Sequence, residues 1–162
     1  GVAADPYGIT YANGAVWVTS PLDGVVTRID PVTDVIVAEV EVPFVADIGA
    51  GDGGIWVSVQ PVRAASGAIL RIDPAANPAR ARVAVGFGPA GIAVVPGGVY
   101  VAVAGEPTLV QVRGRSVVAR VPVTMKSLAI AVGFGSLWLL HPYGTGISGS
   151  GLYDGGVSRL NI

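Results

Sequence analysis

Cysteine is absent from the 162 residues, so neither a disulfide framework nor a thiolate metal site is open to this chain. Histidine and lysine occur once each, as His141 and Lys126. Charged residues make up 13% of the sequence, well under the ~25% of an average globular domain. The nine arginines are scattered and cluster only as Arg80 with Arg82 and Arg113 with Arg115, each pair flanking an expected turn. With a net charge of −1, the surface carries no basic field for nucleic acid and no cationic face for anionic lipid. Helical spacing is missing too: glycine or proline interrupts every run that could show apolar residues three and four apart. The uncharged stretch from Val83 to Gly105 holds Pro89, Pro96 and six glycines, which excludes a membrane helix there. Gly1 to Ala4 is too short and uncharged for a signal peptide, so any export signal is expected outside this sequence.

What is present is apolar and finely punctuated. Hydrophobic residues account for 51%, divided by 24 Gly and 12 Pro into short segments. GAVWVTSPLDGVVTRIDP, from Gly14 to Pro31, reads as two strands and an Asp-Pro turn, and it returns as GIWVSVQPVRAASGAILRIDP from Gly54 to Pro74. Weaker copies run from Gly98 to Gly114 and from Gly135 to Asn161. The aromatic anchors stand at Trp17, Trp56, Tyr100 and Trp138, steps of 39, 44 and 38 residues. A period near forty built from short strands is the signature of a β-propeller with one blade per repeat. The fold class expected is therefore all-β, with about four blades of four antiparallel strands spanning 5–43, 44–86, 87–124 and 125–162.

Within each repeat the turn chemistry marks the strand ends. Asn13-Gly14 is a hairpin dipeptide, and Asp30-Pro31 and Asp73-Pro74 open turns in which the aspartate accepts backbone hydrogen bonds. Arg113-Gly114-Arg115 replaces that turn in the third repeat, with glycine supplying φ > 0. The fourth repeat has three strands, so the expected form is an open arc. Its first and last blades would each leave an apolar face for further blades of a parent chain or for a second copy. The anchors are expected to lie buried between neighbouring blades.

The repeats resemble the YVTN family of bacterial β-propellers, close to the virginiamycin B lyase-like group. Val16-Trp17-Val18-Thr19 and Ile55-Trp56-Val57-Ser58 lie near the family's eponymous strand. The two Arg-Ile-Asp-Pro turns match, as do Pro6-Tyr7-Gly8-Ile9 and Pro89-Ala90-Gly91-Ile92. The resemblance implies a propeller of about seven blades, of which this chain is roughly half, in an extracytoplasmic or cell-surface protein. The lyases of that group use a histidine with nearby carboxylates and a divalent metal. No acid lies within several residues of His141, so the resemblance assigns no catalytic residue, metal ligand or cofactor here.

Function is expected where loops gather on a rigid scaffold. The loops between second and third strands share a face with the connections between blades. That face brings together His141, Tyr143, Tyr153 and Asp154 from the long loop of the fourth repeat. Arg63 joins them from the second repeat, with Phe44, Phe87 and Lys126 from the inter-blade turns. These eight are the candidate binding residues. Gly49 to Gly54 spells GxGxxG but joins two strands, so it is no nucleotide loop. Three readings stand open. The first is a non-catalytic module binding a protein, peptide or glycan. The second is a fragment of a metal-dependent lyase or hydrolase propeller, and the third a structural spacer.

Overall fold

The computed structural model describes residues 1–63, 66–74, 79–141 and 156–162, and these form fifteen strands with no helix. The first sheet is β1 (Ile9–Ala12), β2 (Ala15–Ser20), β3 (Val25–Asp30) and β4 (Val35–Glu41). The second is β5 (Val45–Gly51), β6 (Gly54–Val59), β7 (Gly67–Ile72) and β8 (Ala79–Gly86). The third is β9 (Pro89–Val95), β10 (Gly98–Val103), β11 (Thr108–Arg113) and β12 (Ser116–Pro122). The fourth holds β13 (Ala129–Gly133), β14 (Ser136–His141) and β15 (Gly156–Asn161). Every sheet runs in sequence order with antiparallel neighbours, so each repeat is one four-stranded or three-stranded blade.

The blades stand in series. The first strands β1, β5, β9 and β13 pack each on the next, and no comparable packing joins β13 to β1 among the described residues. Close approach of these inner strands explains the Pro-x-Gly-Ile motif. A β-carbon on Gly91 would lie 2.8 Å from backbone atoms of Ala129 and Ile130 in the next blade. No side chain fits there. Farther out, the residue two past the anchor supplies a hydroxyl rung. Thr19 Oγ1 donates to Ala46 O at 2.7 Å, and Ser58 Oγ to Ala90 O at 3.4 Å, each crossing to the following blade.

Register shows which face each side chain serves. In blade two Ile48 pairs with Val57 and Ala50 with Ile55, so these residues share the leading face. That face packs on Trp17, Val26 and Val40 of blade one. Trp56 points the other way, into a cluster with Ile92, Val99 and Val101 of blade three. Tyr100 in turn packs against the cluster holding Leu137 and Leu139 of blade four. Trp17, Trp56 and the half-buried Tyr100 therefore fill the joint to the blade that follows each.

Trp138 corrects the expectation that all four anchors are buried. Trp17 is 0% exposed and Trp56 6%, but Trp138 is 36% exposed because no described blade lies against it. Leu140 and Val157 are exposed on the same sheet. Blade one mirrors this on its leading face, where Ile9, the counterpart of Ile48, is 71% exposed. Residues 2–4 form no ladder with β15, which pairs only with β14.

The turns of blades one and three follow their composition with one refinement, while 75–78 of the Asp73-Pro74 turn lie outside the described residues. Asp30 Oδ1 accepts from the amides of Val32 at 2.8 Å and Thr33 at 3.3 Å. The turn then closes one residue later than a simple type I turn, with Asp34 N donating to Asp30 O and Asp34 at φ +56°. Gly114 takes φ +58° in the third blade, as expected there.

Removing the ring at a closed joint should cost far more than at an open one. Trp56→Ala is expected to lose about 3–5 kcal/mol in urea unfolding, as for other buried aromatics. Trp138→Ala should lose about 1–2 kcal/mol, since part of its ring already meets water. Equal losses would show that the anchors do not derive their burial from the following blade.

Candidate loop-face site

Phe44 and Phe87 occupy corresponding inter-blade turns and are held alike. Gln60 N donates to Phe44 O at 3.1 Å and Gly105 N to Phe87 O at 3.2 Å, so each turn is tied to the loop leaving the second strand. The Gln60 side chain adds a bond across the joint, its Oε1 accepting from Gly88 N at 2.8 Å. Both rings remain in solvent, Phe44 at 48% and Phe87 at 55% exposure. Phe44 sits at φ +63°, a conformation that bulky side chains rarely adopt. Arg63, at φ +62°, and Lys126 are exposed on the same side of the blades. Tyr143, Tyr153 and Asp154 lie outside the described residues.

His141 is placed differently from its exposed companions. It ends β14, is fully buried, and joins three segments. Nδ1 lies 3.1 Å from Lys126 O and 3.2 Å from Ser127 Oγ, and Nε2 lies 2.6 Å from Ser158 Oγ. A carbonyl only accepts, so the bond to Lys126 O puts the proton on Nδ1 and leaves Nε2 to accept from Ser158. This is the tautomer a general base needs, but the ring is closed from solvent and no carboxylate among the described residues bonds to it. Its described contacts pin the third inter-blade connection to β14 and β15. Among the described residues no group of three His, Asp or Glu side chains could hold a metal ion.

Asp47 is a carboxylate whose burial the sequence did not announce. It takes the place of Gly8 and Gly91 on the inner strand, and its Oδ2 accepts from Ile92 N at 3.1 Å in the next blade. Desolvation raises its carboxyl above the usual 3.8, opposed by hydrogen bonds from the Ile48 and Ile92 amides. The signal was available in the alignment of repeats: an acid stands where the first and third carry glycine and the fourth Ala129.

No family model matches the chain, and no curated protein matches it in sequence. Solved structures do match. A chain of Kuenenia stuttgartiensis hydrazine synthase superposes with TM-score 0.79 at 16% identity, covering 97% of this chain and 46% of that one. BamB from Moraxella catarrhalis gives 0.67 at 10% identity over 81% of this chain and 38% of its own. A streptogramin B lyase gives 0.62 at 16% identity over 98% and 55% respectively. The fold is a β-propeller. The likeness to the lyase group that the motifs suggested holds at the level of fold, without sequence support for the YVTN family. The chain spans about half the length of these structures. No helix among the described residues is long and apolar enough to cross a membrane.

Asp47 should give a pH signature. Because its folded pKa is raised, the folded state binds the proton more tightly than the unfolded state does. Stability is then highest below 3.8 and falls as pH rises through the raised folded value. Asp47→Asn keeps an acceptor for Ile92 N without the buried charge. Thermal melts from pH 3.5 to 7 should show a decline in the wild type that this variant lacks. A parallel decline in both would assign the effect to another group.

Proposed function

We propose that this chain is a non-catalytic β-propeller segment that binds a protein, peptide or glycan through its loop face. The observation supporting this is the repeated presentation of Phe44 and Phe87. Two large aromatics are held in solvent at corresponding turns, one with an unfavourable φ, although burial would stabilise each ring by about 1.5–3 kcal/mol. Nearby Arg63 and Lys126 add donors to an apolar platform, a combination suited to stacking on a sugar ring or receiving an acidic, aromatic peptide. The lyase- or hydrolase-like alternative would require His141 to leave its buried contacts, and the spacer reading gives the two rings no role.

The reading extends to the whole molecule of which these blades form part. The leading face of blade one and the trailing face of blade four have the composition of blade joints. Further blades of a parent chain, or a second copy, would cover them. An extracytoplasmic or surface location, as the resemblance of the repeats implies, is part of this proposal.

Glycan and peptide arrays probed with the wild-type chain and with Phe44→Ser/Phe87→Ser test the binding reading. Retention of a ligand by the wild type, with at least a tenfold loss in the double variant, is expected. Binding that survives the double variant would move the site elsewhere. Metal-dependent turnover of a streptogramin-type substrate, abolished in His141→Ala, would overturn the non-catalytic assignment.

A further inference from the structure

Three Trp–Arg pairs face each other across second and third strands: Trp17 with Arg28, Trp56 with Arg71, and Trp138 with Arg159. Two are built alike. Arg28 and Arg159 each lie over their tryptophan, 5.5 Å from the ring centroid. Trp17 and Trp138 each donate Nε1–H to the carbonyl five residues back, Ala12 at 3.3 Å and Gly133 at 3.1 Å. The middle pair does neither. Trp56 Nε1 is buried without an acceptor, and Arg71 has no ion pair, hydrogen bond or ring contact among the described residues.

The sequence supplies the cause. The residue two before the anchor is Ala15 in blade one but Gly54 in blade two. A β-carbon on Gly54 would collide with the Arg71 side chain, whose Cζ would lie 3.2 Å away, so only glycine leaves room for this arginine position. The facing blade has changed as well. At the first joint a cavity of about 400 Å³ sets Arg28 beside Asp73 and Pro74, and Arg28 Nη1 donates to Pro74 O at 3.4 Å. At the second joint the Asp-Pro turn is replaced by Arg113-Gly114-Arg115, and the cavity grows to about 490 Å³. Arg71, Arg115 and Trp56 line it, with Asp52 beside them. The Asp52 carboxylate already accepts from Gly97 N at 2.9 Å.

Guanidinium and indole groups donate and do not accept. A cavity lined by two guanidinium groups, and by one carboxylate that already accepts from Gly97 N, therefore favours a ligand rich in acceptor oxygens. We propose that the space between blades two and three, on the face opposite the loop platform, is an oxyanion site. Arg71 and Arg115 clamp a phosphate-type group, and the remaining volume admits the small molecule that bears it. The site is independent of the loop-face reading.

Isothermal titration with inorganic phosphate and with a sugar monophosphate, followed in parallel by tryptophan emission, tests it. Saturable binding is expected, weakened about tenfold or more by Arg71→Met and by Arg115→Gln. Arg28→Met, at the partnered joint, should leave it unchanged. Gly54→Ala keeps both charges but displaces Arg71, and should also lose binding. Tighter binding of the sugar phosphate marks a phosphorylated metabolite as the ligand, and tighter binding of phosphate marks the free ion. Absence of binding in a folded wild type, or equal loss in Arg28→Met, overturns the proposal. Arg115 is an exposed turn residue, so its variant should fold even where a joint variant does not.

Discussion

Everything in this arc depends on one contact: an aromatic ring on the second strand of a blade, seated on the leading face of the next. Trp17 fills this place with no exposed surface, sharing a cluster with Ile48, Ile55 and Val57. The joint is dry, and the inner strands approach too closely for a β-carbon at Gly91. Hydroxyl rungs from Thr19 and Ser58 then fix how far one blade slides along the next. Sliding would break a buried hydrogen bond as well as apolar packing, so neighbouring blades hold one relative position. The loops at one end and the turns at the other inherit that precision.

The propeller was legible because the joint imposes a period on the sequence. A ring recurs once per blade, an Asp-Pro or glycine turn follows the third strand in the first three blades, and a glycine stands at the inner strand of the first and third. Those requirements left Trp17, Trp56, Tyr100 and Trp138 near forty residues apart, and the strands fall where the turns predict. The exposure of Trp138 was not legible in the same way. Burial belongs to the pair of blades, and the sequence of one blade does not say what covers it. His141 escaped for a related reason: its partners Lys126, Ser127 and Ser158 come from segments whose spacing has no period. A lone histidine beside a glycine-rich loop read as an exposed binding group, whereas the fold buries it. Tyr143, Tyr153 and Asp154 belong to 142–155, outside the described residues.

Positions where a repeat breaks its own rule carry more functional information than positions where it keeps it. Asp47 replaces an inner-strand glycine and bears a half-buried carboxylate whose bond from Ile92 N ties the inner strands of blades two and three together. Gly54 replaces Ala15, and Arg113 replaces the turn aspartate, at one and the same joint. Each change alone reads as drift in a degenerate repeat. Together they free Arg71 from its tryptophan, remove the acid that would face it and enlarge the space between them. Joint packing alone gives no reason for that combination, since at the neighbouring joint Arg28 lies over its tryptophan and donates to Pro74 O.

The same logic separates the two faces. On the loop side Phe44 and Phe87 repeat each other, which suits a broad platform built from successive blades. On the turn side the departure is confined to one joint, which suits a small ligand held between two blades. Two guanidinium groups lining one cavity, Arg115 exposed and Arg71 half-buried, meet a like charge that an anion between them would relieve. At the first joint Asp73 lines the cavity beside Arg28, while Arg28 Nη1 donates to Pro74 O. Where that acid is gone and the cavity has widened, an external anion can take its position. The two joints thus differ in what lines the cavity with the arginine: a turn carboxylate and Pro74 at the first, a second guanidinium at the next.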